Sequence, residues 1–275
     1  MLLDFVLPTA LSSGVSPQGT AWSRFGSGPV VVLIHGVGMA QAVWAPQIKA
    51  LSQDFTVVTY DLWGHGKSHK APELNGIDQF AKQLRDLLNF LKVDQACVAG
   101  HSMGALVAIE FALQWPEICK SVLALNAVFC RTEPQSNAVI ARAKALCAGE
   151  GFSNLDDTMS RWFGNPVPQE LIPARNLAFQ LLSQNNPLDY AAAYTVFANS
   201  DRIHETRLKQ LKVAALFFTG ELDPNSTPEM SLQMAQLAPL GQALVLPQQR
   251  HMMSLTAPEE VTLAIKNMAF QQLTA

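Results

Sequence analysis

The chain has 275 residues, of which 49% are hydrophobic and 15% charged, with a formal net charge of −3. That length accommodates one or two domains around a large core. No apolar run approaches the roughly 20 residues of a membrane-spanning helix, and the basic residues are scattered, so neither membrane nor nucleic acid is expected as a partner.

Residues 1–14 are fairly apolar, but Asp4 and Pro8 interrupt them and no basic segment leads them. A signal peptide is therefore not expected, and a cytoplasmic location is implied. Leu2–Val6 and Thr20–Phe25 are candidate first strands. Pro29–Ile34 (PVVVLI) has the near-continuous apolar, β-branched character of a fully buried strand, and Phe55–Tyr60, Ala96–Ala99 and Ser121–Leu125 are further strand candidates. Helical spacing follows in Gln41–Leu51, in Ile77–Leu91 with Phe80, Leu84, Leu87, Leu88 and Leu91 on one face, and in Ala105–Gln114.

From about residue 130 to 208 the strand rhythm stops and the composition turns helical, punctuated by glycines and prolines. Strands resume at Ala214–Thr219 and Gln242–Leu246, each followed by a helical stretch, the last being Pro258–Met268. Alternating strands and helices imply an α/β fold with a mostly parallel sheet and right-handed crossovers. Residues 1–129 and 209–275 form the expected core, and residues 130–208 an expected helical lid inserted between the sheet halves. Cys97, Cys119, Cys130 and Cys147 lack metal-ligand spacing and are expected as buried reduced thiols.

Between the strand candidate Ala96–Ala99 and its helix lies Gly100-His-Ser-Met-Gly, a G-x-S-x-G turn with Ser102 at its tip. Glycines on both sides let strand and helix approach while the serine is held in a strained, exposed conformation, and the helix N-terminus points N–H groups at whatever it attacks. A serine hydroxyl needs a base, and the base needs an orienting carboxylate. In such elbows the chain order is nucleophile, acid, histidine. Of the six histidines only His251 follows the last strand. The loop after Ala214–Thr219 offers Glu221 and Asp223; Asp223 is preferred because Pro224 holds it extended and Pro228 ends the loop before a helix. The N–H groups of Met103 and of Val37, in the loop His35-Gly-Val-Gly, are the expected oxyanion donors.

These motifs, with Asp61-Leu-Trp-Gly-His-Gly-Lys-Ser and Gly220-Glu-Leu-Asp, resemble the α/β-hydrolase superfamily over residues from about Thr20 to the C-terminus. The resemblance implies an α/β-hydrolase fold, a triad of Ser102, Asp223 and His251, and an oxyanion hole of Val37 and Met103. It makes Asp61–Ser68 a structural turn. Val43-Trp-Ala-Pro-Gln, Gly149-Glu-Gly-Phe and Arg161-Trp-Phe are similar to 3-oxoadipate enol-lactonase-like hydrolases; Trp44, with Trp162 and Phe163 of the lid, is an expected substrate contact, and so is Arg131, whose guanidinium suits a carboxylate. Leu146, Phe152, Met159, Leu177, Phe179, Leu181, Tyr194 and Phe197 are further candidates to roof an apolar pocket, and Arg142 and Arg161 further candidates to hold a carboxylate. The implied reaction is cleavage of a small-molecule carboxylic ester or lactone through an acyl-enzyme, with no metal and no organic cofactor. Carbon-carbon or thioester hydrolysis on the same triad, and a small-molecule receptor with vestigial hydrolase activity, are the alternatives. Monomer and homodimer both remain open.

Overall fold

In the computed structural model, residues 5–69, 73–150 and 155–271 are described. Among them eight strands form one sheet: β1 (Ser12–Val15), β2 (Ala21–Phe25), β3 (Val30–Ile34), β4 (Thr56–Tyr60), β5 (Ala96–His101), β6 (Cys119–Leu125), β7 (Ala214–Gly220) and β8 (Gly241–Leu246). Their spatial order is β1-β2-β4-β3-β5-β6-β7-β8. β2 pairs antiparallel with both β1 and β4, and all other pairs are parallel.

β3 lies near the middle because its side chains suit nothing else. Val31, Val32, Leu33 and Ile34 are all fully buried, and each such side chain contributes about 1.5–3 kcal/mol on leaving water. The helices that cover the sheet are α1 (Ala45–Leu51), α2 (Ile77–Phe90), α3 (Met103–Gln114), α8 (Pro228–Leu237), the short α9 (Met253–Thr256) and α10 (Pro258–Gln271). α3 packs on β5 and β6 with α2 beside it; α10 packs on the same two strands with α1 beside it. Since both surfaces of those strands are buried, the two helix pairs cover opposite faces. α2 is amphipathic, burying Ile77, Phe80, Ala81, Leu84, Leu87 and Leu88 and leaving Lys82 and Asp86 outside as an i,i+4 ion pair at 2.7 Å.

Between β6 and β7 come α4 (Glu133–Cys147), α5 (Leu155–Phe163), α6 (Ile172–Ser183) and α7 (Pro187–Ala198), with no strand among the described residues of this stretch. Proline at the first turn starts α4, α6 and α7, and the Asn186 side chain caps α7 by accepting from the N–H groups of Leu188 and Asp189. The entry and exit of this segment are tied together. Asp201 accepts from the N–H of Cys130 through its carbonyl oxygen (2.9 Å) and from the N–H of Arg131 through its carboxylate (2.8 Å), and it pairs with the buried Arg131 guanidinium at 3.4 Å.

Two expectations need correction. The first strand among the described residues is Ser12–Val15; of the expected Leu2–Val6, residues 2–4 lie outside the described residues, and Phe5 and Val6 belong to no strand. The thiols are unpaired, but only Cys119 is buried, whereas Cys97 and Cys130 are half-buried and Cys147 is exposed. Among the described residues no helix is long and apolar enough to cross a membrane.

The sheet order places the functional loops. β3 is followed in the chain by β4 on one side and, after the next crossover, by β5 on the other. The strand order reverses there, and this opens a crevice at the carboxyl ends of β3 and β5.

Candidate active site

Ser102 stands between β5 and α3 with φ 55° and ψ −115°. For a residue carrying a Cβ this conformation costs about 1–3 kcal/mol and persists only when the surroundings impose it. They do so by contact: a Cβ on Gly100 would collide with the carbonyl oxygen of Gly104, and a Cβ on Gly104 with that of Ile34. The turn is therefore compressed against β3, and α3, buried along nearly its whole length, cannot shift to relieve it.

Ser102 Oγ is 3.2 Å from His251 Nε2, and His251 Nδ1 is 2.7 Å from Asp223 Oδ2. All three side chains are buried. Asp223 follows β7, His251 follows β8, and the two loops are joined by Leu222 N–H donating to the Gln249 carbonyl at 2.9 Å. Burial by itself would raise the Asp223 pKa. The charge and hydrogen bond of His251, the Asn225 backbone N–H and the Asn126 side chain outweigh it and hold the carboxyl below its ordinary range. An ionised carboxylate only accepts, so His251 carries its proton on Nδ1 and leaves Nε2 free to accept from the Ser102 hydroxyl.

Two supports were not legible in the sequence. Asn126, in the first position after β6 and at φ 51°, donates from Nδ2 to the same Asp223 oxygen at 2.8 Å. His101, beside the serine, donates from Nε2 to the backbone carbonyl of His251 at 2.8 Å, and burial pushes its pKa down to about 3.

In the loop after β3, Gly38 N–H donates to His65 Nε2 at 2.9 Å and Met39 N–H to the Gly36 carbonyl at 3.1 Å. The Val37 N–H has no acceptor among the described residues, and neither has that of Met103, the first residue of α3. Neutral histidines brace this loop. His35 accepts from Leu62 N–H at Nε2 (2.9 Å) and donates from Nδ1 to the Gly36 carbonyl (2.8 Å). His65 donates from Nδ1 to the Trp63 carbonyl at 3.1 Å. Burial holds His35 down at about 4 and His65 at about 3, a proton on the neighbouring His35 ring further disfavouring one on His65. Asp61 accepts from Gln41 N–H and Lys67 N–H, both at 2.9 Å, which shapes the Asp61–Ser68 turn.

A cavity of about 200 Å³ opens over Ser102 and His251. Val37, Trp162 and Arg131 line it, and the Trp162 ring lies 6.0 Å from that of His251. Met103 is fully buried, and its side chain does not line the cavity. Trp44 and Phe163 do not line the cavity. Trp44 extends the apolar stripe of Ile48 and Leu51 into the core. Phe163, one residue past Trp162 on α5, is turned by about 100° into helix packing. Of the other roof candidates Tyr194 and Phe197 line the cavity, Tyr190 joins them without having been singled out, and Phe152 lies outside the described residues. Among the described residues no group of three histidine, cysteine, aspartate or glutamate side chains is placed to hold a metal ion.

Residues 29–167 match the family model described as alpha/beta hydrolase fold. The (E)-2-((N-methylformamido)methylene)succinate hydrolase of Acinetobacter baylyi is 36% identical over 88% of this chain and 90% of its own length. The 3-oxoadipate enol-lactonase 1 of the same organism is 28% identical over 72% and 73%. Among solved structures, an enol-lactonase from Burkholderia xenovorans superposes with a TM-score of 0.83 at 23% identity, covering 90% of this chain and 95% of that one, a likeness of fold.

Proposed function

The chain belongs to the α/β-hydrolase family, and within it we propose that it is a serine hydrolase cleaving a carboxylic ester or lactone of a small molecule through an acyl-enzyme. The observation that carries this reading is the continuous hydrogen-bonded path from Asp223 through His251 to Ser102 at a strained elbow. His251 Nε2 takes the hydroxyl proton as Ser102 Oγ attacks the carbonyl carbon. The oxyanion is received by the N–H groups of Val37 and Met103, and α3 adds the positive end of its dipole. His251 then protonates the leaving oxygen, and a water repeats the sequence to release the acid. Asp223 fixes the His251 tautomer and stabilises the imidazolium. Residues 130–208 act as the lid, supplying Trp162, Tyr194 and Phe197 to the cavity roof.

A second reading is cleavage of an amide-like bond. It is favoured by the relative whose name carries an N-methylformamido group, and it needs only that His251 protonate a nitrogen instead of an oxygen. The test is steady-state hydrolysis of p-nitrophenyl esters, small lactones and formamides, alongside Ser102→Ala and labelling with a fluorophosphonate. Turnover that falls on the order of 10⁶-fold in the variant, with labelling of Ser102 in the wild type, is expected. Turnover that survives Ser102→Ala would refute the assignment.

A further inference from the structure

We propose that the substrate of this site is a small organic anion, an ester or lactone carrying a separate carboxylate, and that Arg142 and Arg161 grip that carboxylate while Arg131 does not. The proposal rests on the serine-hydrolase reading and extends it to the substrate class. Three arginines line the same cavity as Ser102, and among the described residues no aspartate or glutamate lines it.

The three guanidinium groups differ in what already holds them. Arg131 is buried, paired with Asp201 at 3.4 Å, and stacked 4.7 Å from the centre of the Phe197 ring. Its charge is neutralised and its fork is fixed. Arg142 donates to the Tyr194 hydroxyl at 2.9 Å, and Arg161 to the Thr158 hydroxyl at 2.7 Å. Neither has a carboxylate within ion-pair distance among the described residues. Arg161 Nε is, in addition, buried without a hydrogen-bond partner. Burial lowers the Arg161 pKa from its ordinary value, the like charge of Arg142 adds to this, and Asp157 offsets it only in part.

Two neighbouring cations, partly removed from water and, among the described residues, held by neutral hydroxyls, are unfavourable until an anion joins them. A carboxylate placed between them takes charge-assisted hydrogen bonds from both forks. A cavity of about 200 Å³ falls below the roughly 300–1,000 Å³ of pockets that take drug-sized ligands. The anion is accordingly a short one.

Monomethyl glutarate and methyl pentanoate differ only in a terminal carboxylate against a methyl group, and a pH-stat follows the hydrolysis of either. The wild type is expected to prefer monomethyl glutarate by about 100-fold in kcat/KM. Arg142→Met and Arg161→Met are each expected to reduce that ratio by about 10-fold or more through KM, with Arg→Lys at either position recovering part of it. Fluorophosphonate labelling of Ser102 in each variant reports an intact elbow. Free glutarate is expected to slow that labelling in the wild type more than inorganic phosphate does. A wild type that is labelled at Ser102 and hydrolyses the two esters equally overturns the anion proposal alone, as does a ratio unchanged in both methionine variants or stronger protection by phosphate. A wild type that is neither labelled nor active on any ester, lactone or formamide overturns the serine-hydrolase reading beneath it.

Discussion

Acidification is expected to unfold this protein through its histidines before its carboxylates. His35, His65 and His101 are fully or almost fully buried and neutral, with pKa values held by burial at about 4, 3 and 3. In the unfolded chain each titrates near 6.5. Between that value and about 4 the unfolded state therefore binds three protons that the folded state refuses, so stability falls as pH falls across this window. At pH 4.5, two units below the unfolded value, each ring favours unfolding by about 2.7 kcal/mol, or about 8 kcal/mol together, against a typical total of 5–15 kcal/mol. His204, lowered as well, acts in the same direction. Asp223, held below the ordinary carboxylate value, adds its loss only at lower pH. Urea titrations from pH 7.5 to 5 read the unfolding free energy directly, with an expected slope of about 4 kcal/mol per pH unit below pH 6. His65→Gln should lower stability at pH 7 and reduce the slope by one proton, about 1.4 kcal/mol per unit. A wild-type slope below that single-proton value would show the rings accepting protons in the folded state, and the reasoning would be wrong.

Asn126→Ala removes a donor from Asp223; kcat/KM for an ester is expected to fall about 10-fold, and the acid limb of its pH profile to move upward as the carboxylate loses support. Gly104→Ala drives a methyl into the Ile34 carbonyl, a backbone atom that cannot give way. Thermal denaturation should show a loss of about 3 kcal/mol or more, some 6–12 °C in Tm, and an unchanged Tm would contradict the compressed elbow. Asp201→Ala leaves the Arg131 charge buried alone, which urea denaturation should register as about 3–5 kcal/mol. Replacing both partners together by apolar residues should cost less than the single change.

The strands from β3 onward were readable because each carries a short, largely apolar run closed by a turn, and Ser102, Asp223 and His251 stand in the loops those runs delimit. β1 was not readable. Ser-Ser-Gly-Val is exposed at every position, and what makes it a strand is pairing across the turn of residues 16–19 with β2. The missed supports share another cause. Asn126 reaches Asp223 across 97 residues and His101 reaches the His251 carbonyl across 150, so no local pattern marks them. Trp44 was misplaced because its neighbours in sequence suggested a site. Its helical phase, continuous with Ile48 and Leu51, sends it into the core. Arg131, Arg142 and Arg161 look alike in the sequence; the Asp201 and Phe197 contacts separate the first from the other two.

That contact also closes a neck. Cys130, Arg131 and Asp201 bind one another where the chain leaves β6 and where it heads for β7, while Asp223 and His251 are joined through their own loops beyond β7 and β8. The helices hung from the neck are anchored by a tie that includes neither the acid nor the base. Because Trp162, Tyr194 and Phe197 line the cavity, exchanging the helices between 132 and 199 is expected to change the choice of substrate more than it changes the hydrogen bond of Asp223 with His251.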